Sequence, residues 1–162
     1  KDPFCGAAAL QYLPADSRIR ITHIGGARDP ALATEARRWM KREPRYVWLG
    51  ELARPQALAT LARGRAMLIS SRMEGGANVV SEALVARVPV IASKISGNIG
   101  MLGRRYRGYY PLSDARALAK LLDNIETKTG LLTTLRTQCA ERRKLISVSQ
   151  EKSGLRRLLA GL

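Results

Sequence analysis

Short, β-branched apolar runs bounded by glycine or proline alternate along this chain with longer amphipathic stretches. That alternation constrains the fold more than any other feature. Repeated strand-then-helix units require parallel strands joined by crossover helices, so the expected class is α/β, built as a Rossmann-like doubly wound parallel sheet. The first strand is read from Arg18 to Gly25, where Gly25-Gly26 forces a turn. Further strands are expected at Tyr46 to Leu49, Ala66 to Ser70, and Val88 to Ser93, with a short last one at Gly108 to Pro111. Val88-Pro89-Val90-Ile91-Ala92-Ser93 is almost wholly apolar, as a strand covered on both faces should be, with its proline at the strand's start.

Helix starts are marked by capping residues. Asp2-Pro3 and Asp29-Pro30 each set an N-cap before a first-turn proline, predicting helices to about Leu13 and Glu43. A helix near Pro55 to Arg63 and another beginning near Ala77 follow. Ser113-Asp114 opens one to about Lys128 with Leu118, Leu121, Leu122 and Ile125 on one face, and two more helices are expected from Leu131 to the C-terminus. In doubly wound sheets ligands bind beyond the carboxyl ends of the strands. The loops to search are therefore Gly25 to Asp29, Leu49 to Arg54, Ser71 to Asn78, and Ser93 to Gly100.

With 162 residues, 46% of them hydrophobic, the chain supports one domain with a real core. No run approaches the roughly 18 apolar residues of a membrane span, and Lys1-Asp2-Pro3 is unlike a secretion signal, so a soluble, unexported, cytoplasmic protein is expected. Cys5 and Cys139 lie far apart with no partner histidine cluster, which suggests neither a disulfide framework nor a zinc site. The net charge of +15 points to an anionic partner such as nucleic acid, an acidic surface or a phosphorylated small molecule. A dispersed, solvated arginine surface explains the same number.

The segment that carries chemistry runs Ser70-Ser71-Arg72-Met73-Glu74-Gly75-Gly76-Ala77-Asn78-Val79-Val80-Ser81-Glu82-Ala83-Leu84. Glu74 falls in a loop after a strand, Gly75 and Gly76 let a ligand approach the backbone, and the helix starting near Ala77 aims unpaired amides at the same place. Asn78 to Glu82 is one helical turn, about 6 Å. Two carboxylates that accept hydroxyls on either side of a diphosphate describe a nucleotide-sugar site. Read more plainly, Glu74 is a cap and Glu82 an exposed helix residue.

The segment resembles the Glu-x7-Glu signature of retaining GT-B glycosyltransferases of the family 4 type (glycosyl transferases group 1), followed as there by a Pro-Val-Ile-Ala-Ser strand. The resemblance covers most of the chain and implies that residues 1–162 are the C-terminal, nucleotide-sugar-binding half of a GT-B fold. It implies that Glu74 contacts the transferred sugar, Glu82 binds the ribose hydroxyls, and Gly75, Gly76, Ala77 and Asn78 face the diphosphate. Lys1 matches the lysine that neutralises donor phosphates. The first strand of the domain and the N-terminal acceptor domain would then lie outside this sequence.

A narrower similarity, carried by Ser71 to Ala83 together with Ser96-Gly97-Asn98-Ile99-Gly100-Met101-Leu102-Gly103, is to the selenosugar synthase branch, which joins a sugar from a UDP-sugar to selenophosphate. It implies that the loop Ser96, Gly97, Asn98 lines the donor sugar. The chain departs from the broader family in having Gly76-Ala77 and Asn98-Ile99-Gly100 where many members carry an aromatic and a Pro-Glu pair. No Asp-x-Asp occurs, so no metal and no cofactor beyond the nucleotide sugar is expected. The helix start and Lys1 would stabilise the leaving diphosphate, with front-face attack and Glu74 orienting sugar hydroxyls.

Three other features invite weaker readings. His23 fits packing or a strand-end hydrogen bond better than catalysis. Gly25-Gly26 lacks a Gly-x-Gly-x-x-Gly context, and Arg104 to Arg107 reads either as a guide for anions or as a solvated loop. The alternatives from other classes are a nucleic-acid-binding surface, with Tyr106, Tyr109 and Tyr110 interleaved with arginines, and another GT-B enzyme: a nucleotide-sugar epimerase or a transferase to a lipid or saccharide acceptor. Donor-site binding should depend on Glu82, whereas nucleic-acid binding should depend on salt.

Overall fold

The computed structural model describes residues 1–27, 29–75 and 78–146. Among the described residues five short strands and seven α-helices alternate up to α6, which α7 follows directly: α1 (Cys5–Leu10), β1 (Ile21–His23), α2 (Pro30–Arg42), β2 (Tyr46–Trp48), α3 (Arg54–Arg63), β3 (Met67–Ile69), α4 (Asn78–Val85), β4 (Val90–Ser93), α5 (Ser96–Leu102), β5 (Tyr109–Tyr110), α6 (Ala115–Thr127) and α7 (Leu131–Arg143). A 3₁₀ turn, Lys144–Ile146, closes the described chain. Every strand pair is parallel, with Ile21 opposite Tyr46, Met67 opposite Val90, and Ala92 opposite Tyr109. The expected class is the one observed.

The strands form two hydrogen-bonded groups, β1-β2 and β3-β4-β5. α1 lies over the junction between them. A Cβ on Gly6 would stand 2.9 Å from Leu68 of β3 and 3.3 Å from Ile21 of β1, so side chains of both groups converge on one helical glycine. The pleat of β4 sorts the core into two layers. Val90 and Ala92 face a cluster with Val80, Ala83, Leu84, Leu102, Leu135 and Cys139 from α4, α5 and α7. Ile91 faces the opposite cluster with Leu10, Tyr46, Tyr110, Leu118 and Leu122, under α1 and α6. All four residues of β4 are buried, as the apolar run requires.

Capping residues behave as read at two of three helices. Asp29 accepts from the Ala31 amide at 2.8 Å with Pro30 in the first turn, and Asp114 accepts from the Ala117 amide at 2.9 Å. Asp2 does not cap α1. That helix starts later, at Cys5, and ends earlier, at Leu10, because Asp2 lies beside the end of β3, its amide donating to Ser70 O at 3.1 Å. The first strand is also shorter than its sequence pattern, since only Ile21 to His23 find partners on β2. The last expected helix falls beyond residue 146, outside the described residues. Cys5 and Cys139 are both buried free thiols. Among the described residues no helix is long and apolar enough to cross a membrane.

Polar ties join the layers. Glu43, at the end of α2, takes a two-pronged contact from Arg45 (2.8 and 3.0 Å), and Arg45 also donates to Leu10 O and Pro14 O beyond α1. Glu126 of α6 accepts from Ser17 Oγ at 2.6 Å and from the Arg18 amide at 2.9 Å. The Arg45 contact holds Glu43 below the ordinary glutamate value, and the Ser17 hydroxyl does the same for Glu126.

A folded-state pKa below the unfolded one gives stability that is complete above the unfolded value and drains as pH falls through the folded value. Urea midpoints should therefore hold steady above about pH 5 and fall as acid is added below about pH 4.5. A midpoint unchanged at about pH 3.5 would show that these carboxylates are not held in the folded state.

Candidate functional site

β3 ends at Ile69, and Ser70 and Ser71 carry the chain out of the sheet. Glu74 sits in the loop beyond them, with a side chain 18% exposed. Two donors converge on its Oε1: the Lys1 ammonium and the Ser71 hydroxyl, the latter at 2.6 Å. Lys1 first, then Ser71, hold the carboxyl below the ordinary glutamate value. Glu74 is an anion whose Oε1 accepts from both donors. Lys1 is thus placed on Glu74, 73 residues away in sequence.

Gly75 has open space where a side chain would lie, so nothing obstructs backbone approach there. Gly76 and Ala77, the centre of the expected diphosphate-binding run, lie outside the described residues. Asn78 opens α4, and Val80, Ala83 and Leu84 bury its inner face. Glu82 stands one turn further, 31% exposed at its side chain, with Arg54 Nη2 3.2 Å from its Oε1. Arg54 opens α3 at the end of β2, so the Glu82 carboxylate already rests against a neighbouring strand-end loop. Sequence reading missed Arg54, which carried no signal beyond its place in a searched loop.

The segment Ser96 to Gly100 is not a loop. It belongs to α5, whose carboxyl end is tied down by Arg142 donating to Met101 O and Gly100 O, each at 2.7 Å. Gly97 packs directly on the Glu74 backbone, where a Cβ would collide with the carbonyl oxygen and stand 2.8 Å from its carbon. Only glycine permits that approach. Ser96 lies beside it at the start of the helix. Asn98 is fully buried and turns its amide inward, Nδ2 donating to Ser93 O at 2.8 Å. Its side chain faces the sheet rather than solvent.

The other strand ends are close by. The Gly25 amide donates to Gly50 O at 2.8 Å and Trp48 Nε1 donates to Gly25 O at 2.9 Å, which binds the first two strand-end loops together. Gly25 needs its positive φ of 147° for that turn. His23 Nδ1 meets Tyr46 Oη at 2.6 Å, the strand-end hydrogen bond expected of it, and burial lowers its pKa. The proposed aromatic nucleic-acid surface is absent. Tyr106 and Tyr110 are buried, and Tyr106 donates into the core at Val90 O. Tyr109 is only partly exposed and donates to Gly103 O at 3.0 Å. Among the described residues no group of histidine, cysteine, aspartate and glutamate could hold a metal ion.

Residues 6–127 match the family profile described as glycosyl transferases group 1. The chain belongs to that family. Solved structures agree on the fold. HepE from Anabaena, crystallised with UDP-glucose, superposes with a TM-score of 0.78 at 19% identity over 98% of this chain and 44% of that one. Its complex with UDP and glucose gives 0.80 at 20% identity, again over 98% and 44%. Sucrose-phosphate synthase from Thermosynechococcus elongatus gives 0.75 at 20% identity over 99% and 43%. These neighbours are GT-B glycosyltransferases, so the group 1 domain here is a Rossmann-like half of a GT-B fold, and it spans less than half the length of the structures it resembles. None of the curated proteins matches the sequence.

Proposed function

We propose that this chain is the C-terminal, donor-binding half of a retaining, metal-independent GT-B glycosyltransferase that uses a UDP-sugar. The observation that carries the reading is the single constellation around β3 and α4: a fixed glutamate anion at the strand end, a glycine loop, a helix opening at Asn78, and Glu82 one turn inside it. A helix start binds a diphosphate through its unpaired amides, and carboxylates on either side accept the hydroxyls of sugar and ribose. Glu74 orients the sugar, Gly75 to Asn78 face the diphosphate, and Glu82 takes the ribose once Arg54 releases it. Lys1 swings from Glu74 onto the leaving phosphate and brings positive charge to the oxygen on which negative charge forms. Attack comes from the same face as departure.

The acceptor is bound by the other half of the GT-B fold. Selenophosphate is the acceptor we favour, on the similarity of residues 71–83 and 96–103 to selenosugar synthases. The protein works in the cytoplasm, and this half alone does not turn over.

The test is calorimetric titration of the chain with UDP and with UDP-glucose, beside Glu82→Ala and an unrelated oligonucleotide. Saturable UDP binding that weakens at least about tenfold in Glu82→Ala, the value of hydrogen bonds to a charged acceptor, is the expected result. Tight oligonucleotide binding without UDP binding would sink the donor-site reading.

A further inference from the structure

Beneath Glu74 lies a chain of buried polar groups that no contact with a ligand accounts for. Asn98, Ser93 and Ser71 are all essentially without exposure, at 0%, 0% and 1%. Asn98 Nδ2 donates to Ser93 O at 2.8 Å and lies 3.3 Å from Ser93 Oγ. The Ser93 hydroxyl in turn donates to Ser71 O at 2.6 Å, and the Ser71 hydroxyl donates to Glu74 Oε1 at 2.6 Å. The direction of donation is fixed throughout, because a backbone carbonyl only accepts and the carboxylate only accepts. The Asn98 amide therefore presents its nitrogen to Ser93 and keeps its oxygen on the other side, where Oδ1 is buried with no partner among the described residues. A residue kept only to fill that space would be apolar, since an unpartnered amide oxygen in the core is costly.

We infer that Asn98, Ser93 and Ser71 form a positioning relay that sets the orientation of the Glu74 carboxylate from within the sheet. The inference rests on Glu74 being the donor-sugar residue. β4 and α5 supply the far end of the relay, and the Gly97 contact on the Glu74 backbone supplies the opposing wall, so the loop is held from below and from the side. The Ser93 bond ends on the Ser71 carbonyl and the Glu74 bond starts at the Ser71 hydroxyl, so a change at Ser93 reaches the carboxylate by shifting the Ser71 backbone that aims this hydroxyl. Asn98 and Ser93 act through Ser71 and touch no substrate. They are positioning residues.

The experiment uses Ser93→Ala, which removes one hydroxyl and adds no bulk, and Ser93→Thr, which restores it. The Glu74 carboxyl is followed by carbon NMR across an acid titration in the unliganded chain, and affinities for UDP and UDP-glucose are measured in parallel. In Ser93→Ala the Glu74 pKa should rise toward the ordinary glutamate value. The preference for UDP-glucose over UDP should fall about fivefold, the size of one weakened hydrogen bond, while UDP affinity alone stays within about twofold. Ser93→Thr should recover both.

An unmoved Glu74 titration together with an unchanged preference would overturn the relay even if the melting temperature dropped, because that pattern belongs to a purely structural serine. If the unmodified chain binds neither nucleotide, the donor-site reading fails instead, and the carboxyl titration still decides the relay. Asn98→Asp sets a carboxylate against Ser93 O and should move the titration in the same direction; no movement there also counts against the relay.

Discussion

Gly97→Ala should destabilise the protein by about 3 kcal/mol, the upper end for forcing a methyl group into filled space, and should displace Glu74. The reason is steric. A methyl group at Gly97 has nowhere to go, because the obstacle is the Glu74 carbonyl and its carbon, which belong to the backbone and cannot rotate aside. Relief requires either the start of α5 or the loop from Arg72 to Gly75 to shift. The first is resisted by Arg142, which ties the end of the helix, and the second breaks the Ser71 and Lys1 contacts on the carboxylate.

The control is three residues away. A Cβ on Gly100, in the same helix, meets nothing within 4 Å. Gly100→Ala should therefore stabilise the chain by about 0.5–1 kcal/mol through helix propensity alone. Urea unfolding of the pair separates steric cost from propensity. Equal midpoints for Gly97→Ala and the parent would mean the loop yields freely and the close contact holds nothing in place.

The second large effect is expected at Glu43→Ala. Glu43 is 6% exposed and anchors both prongs of Arg45, whose remaining donors hold the chain after α1. Removing the carboxylate strands a guanidinium whose side chain is only 22% exposed, and breaking a buried pair from one side costs more than the pair contributed. A loss of about 2–4 kcal/mol is expected, or roughly 10 °C in melting temperature for a domain of this size. Glu43→Gln should recover part of it, since the amide oxygen still accepts from Arg45. A loss below about 0.5 kcal/mol, the range of ordinary surface changes, would show that the leucine and proline carbonyls hold Arg45 without it.

Much of this was legible in the sequence, for identifiable reasons. The α/β class followed from the two periods of the apolar pattern, and β4 was readable because a strand buried on both faces has no polar residues to blur it. Asp29 and Asp114 were readable because their caps are local. Asp2 misled because its partner, Ser70, is 68 residues away, and no local rule anticipates a long-range contact. α5 was missed because Ser-Gly-Asn-Ile-Gly carries two glycines inside seven helical residues and reads as a loop.

The glutamates of the site were visible through the Gly-Gly step and the strand-loop-helix context around them. The serines beneath them were not. Ser93 closes β4 and Ser71 follows two residues after β3; both are buried, and only the sheet register brings them within one hydrogen bond of each other. The signal, in retrospect, is a serine at or just past the end of each of two neighbouring apolar strands.

The two buried thiols give the fold a clock of its own. Cys5 lies in the layer under α1 and α6, and Cys139 in the layer with α4 and α5. A thiol reacts as its thiolate and only where a reagent can reach it, so each stays silent until its own layer opens. The rate at which each is labelled therefore reports the loosening of one face of the sheet, and the two rates together say whether the faces open as one.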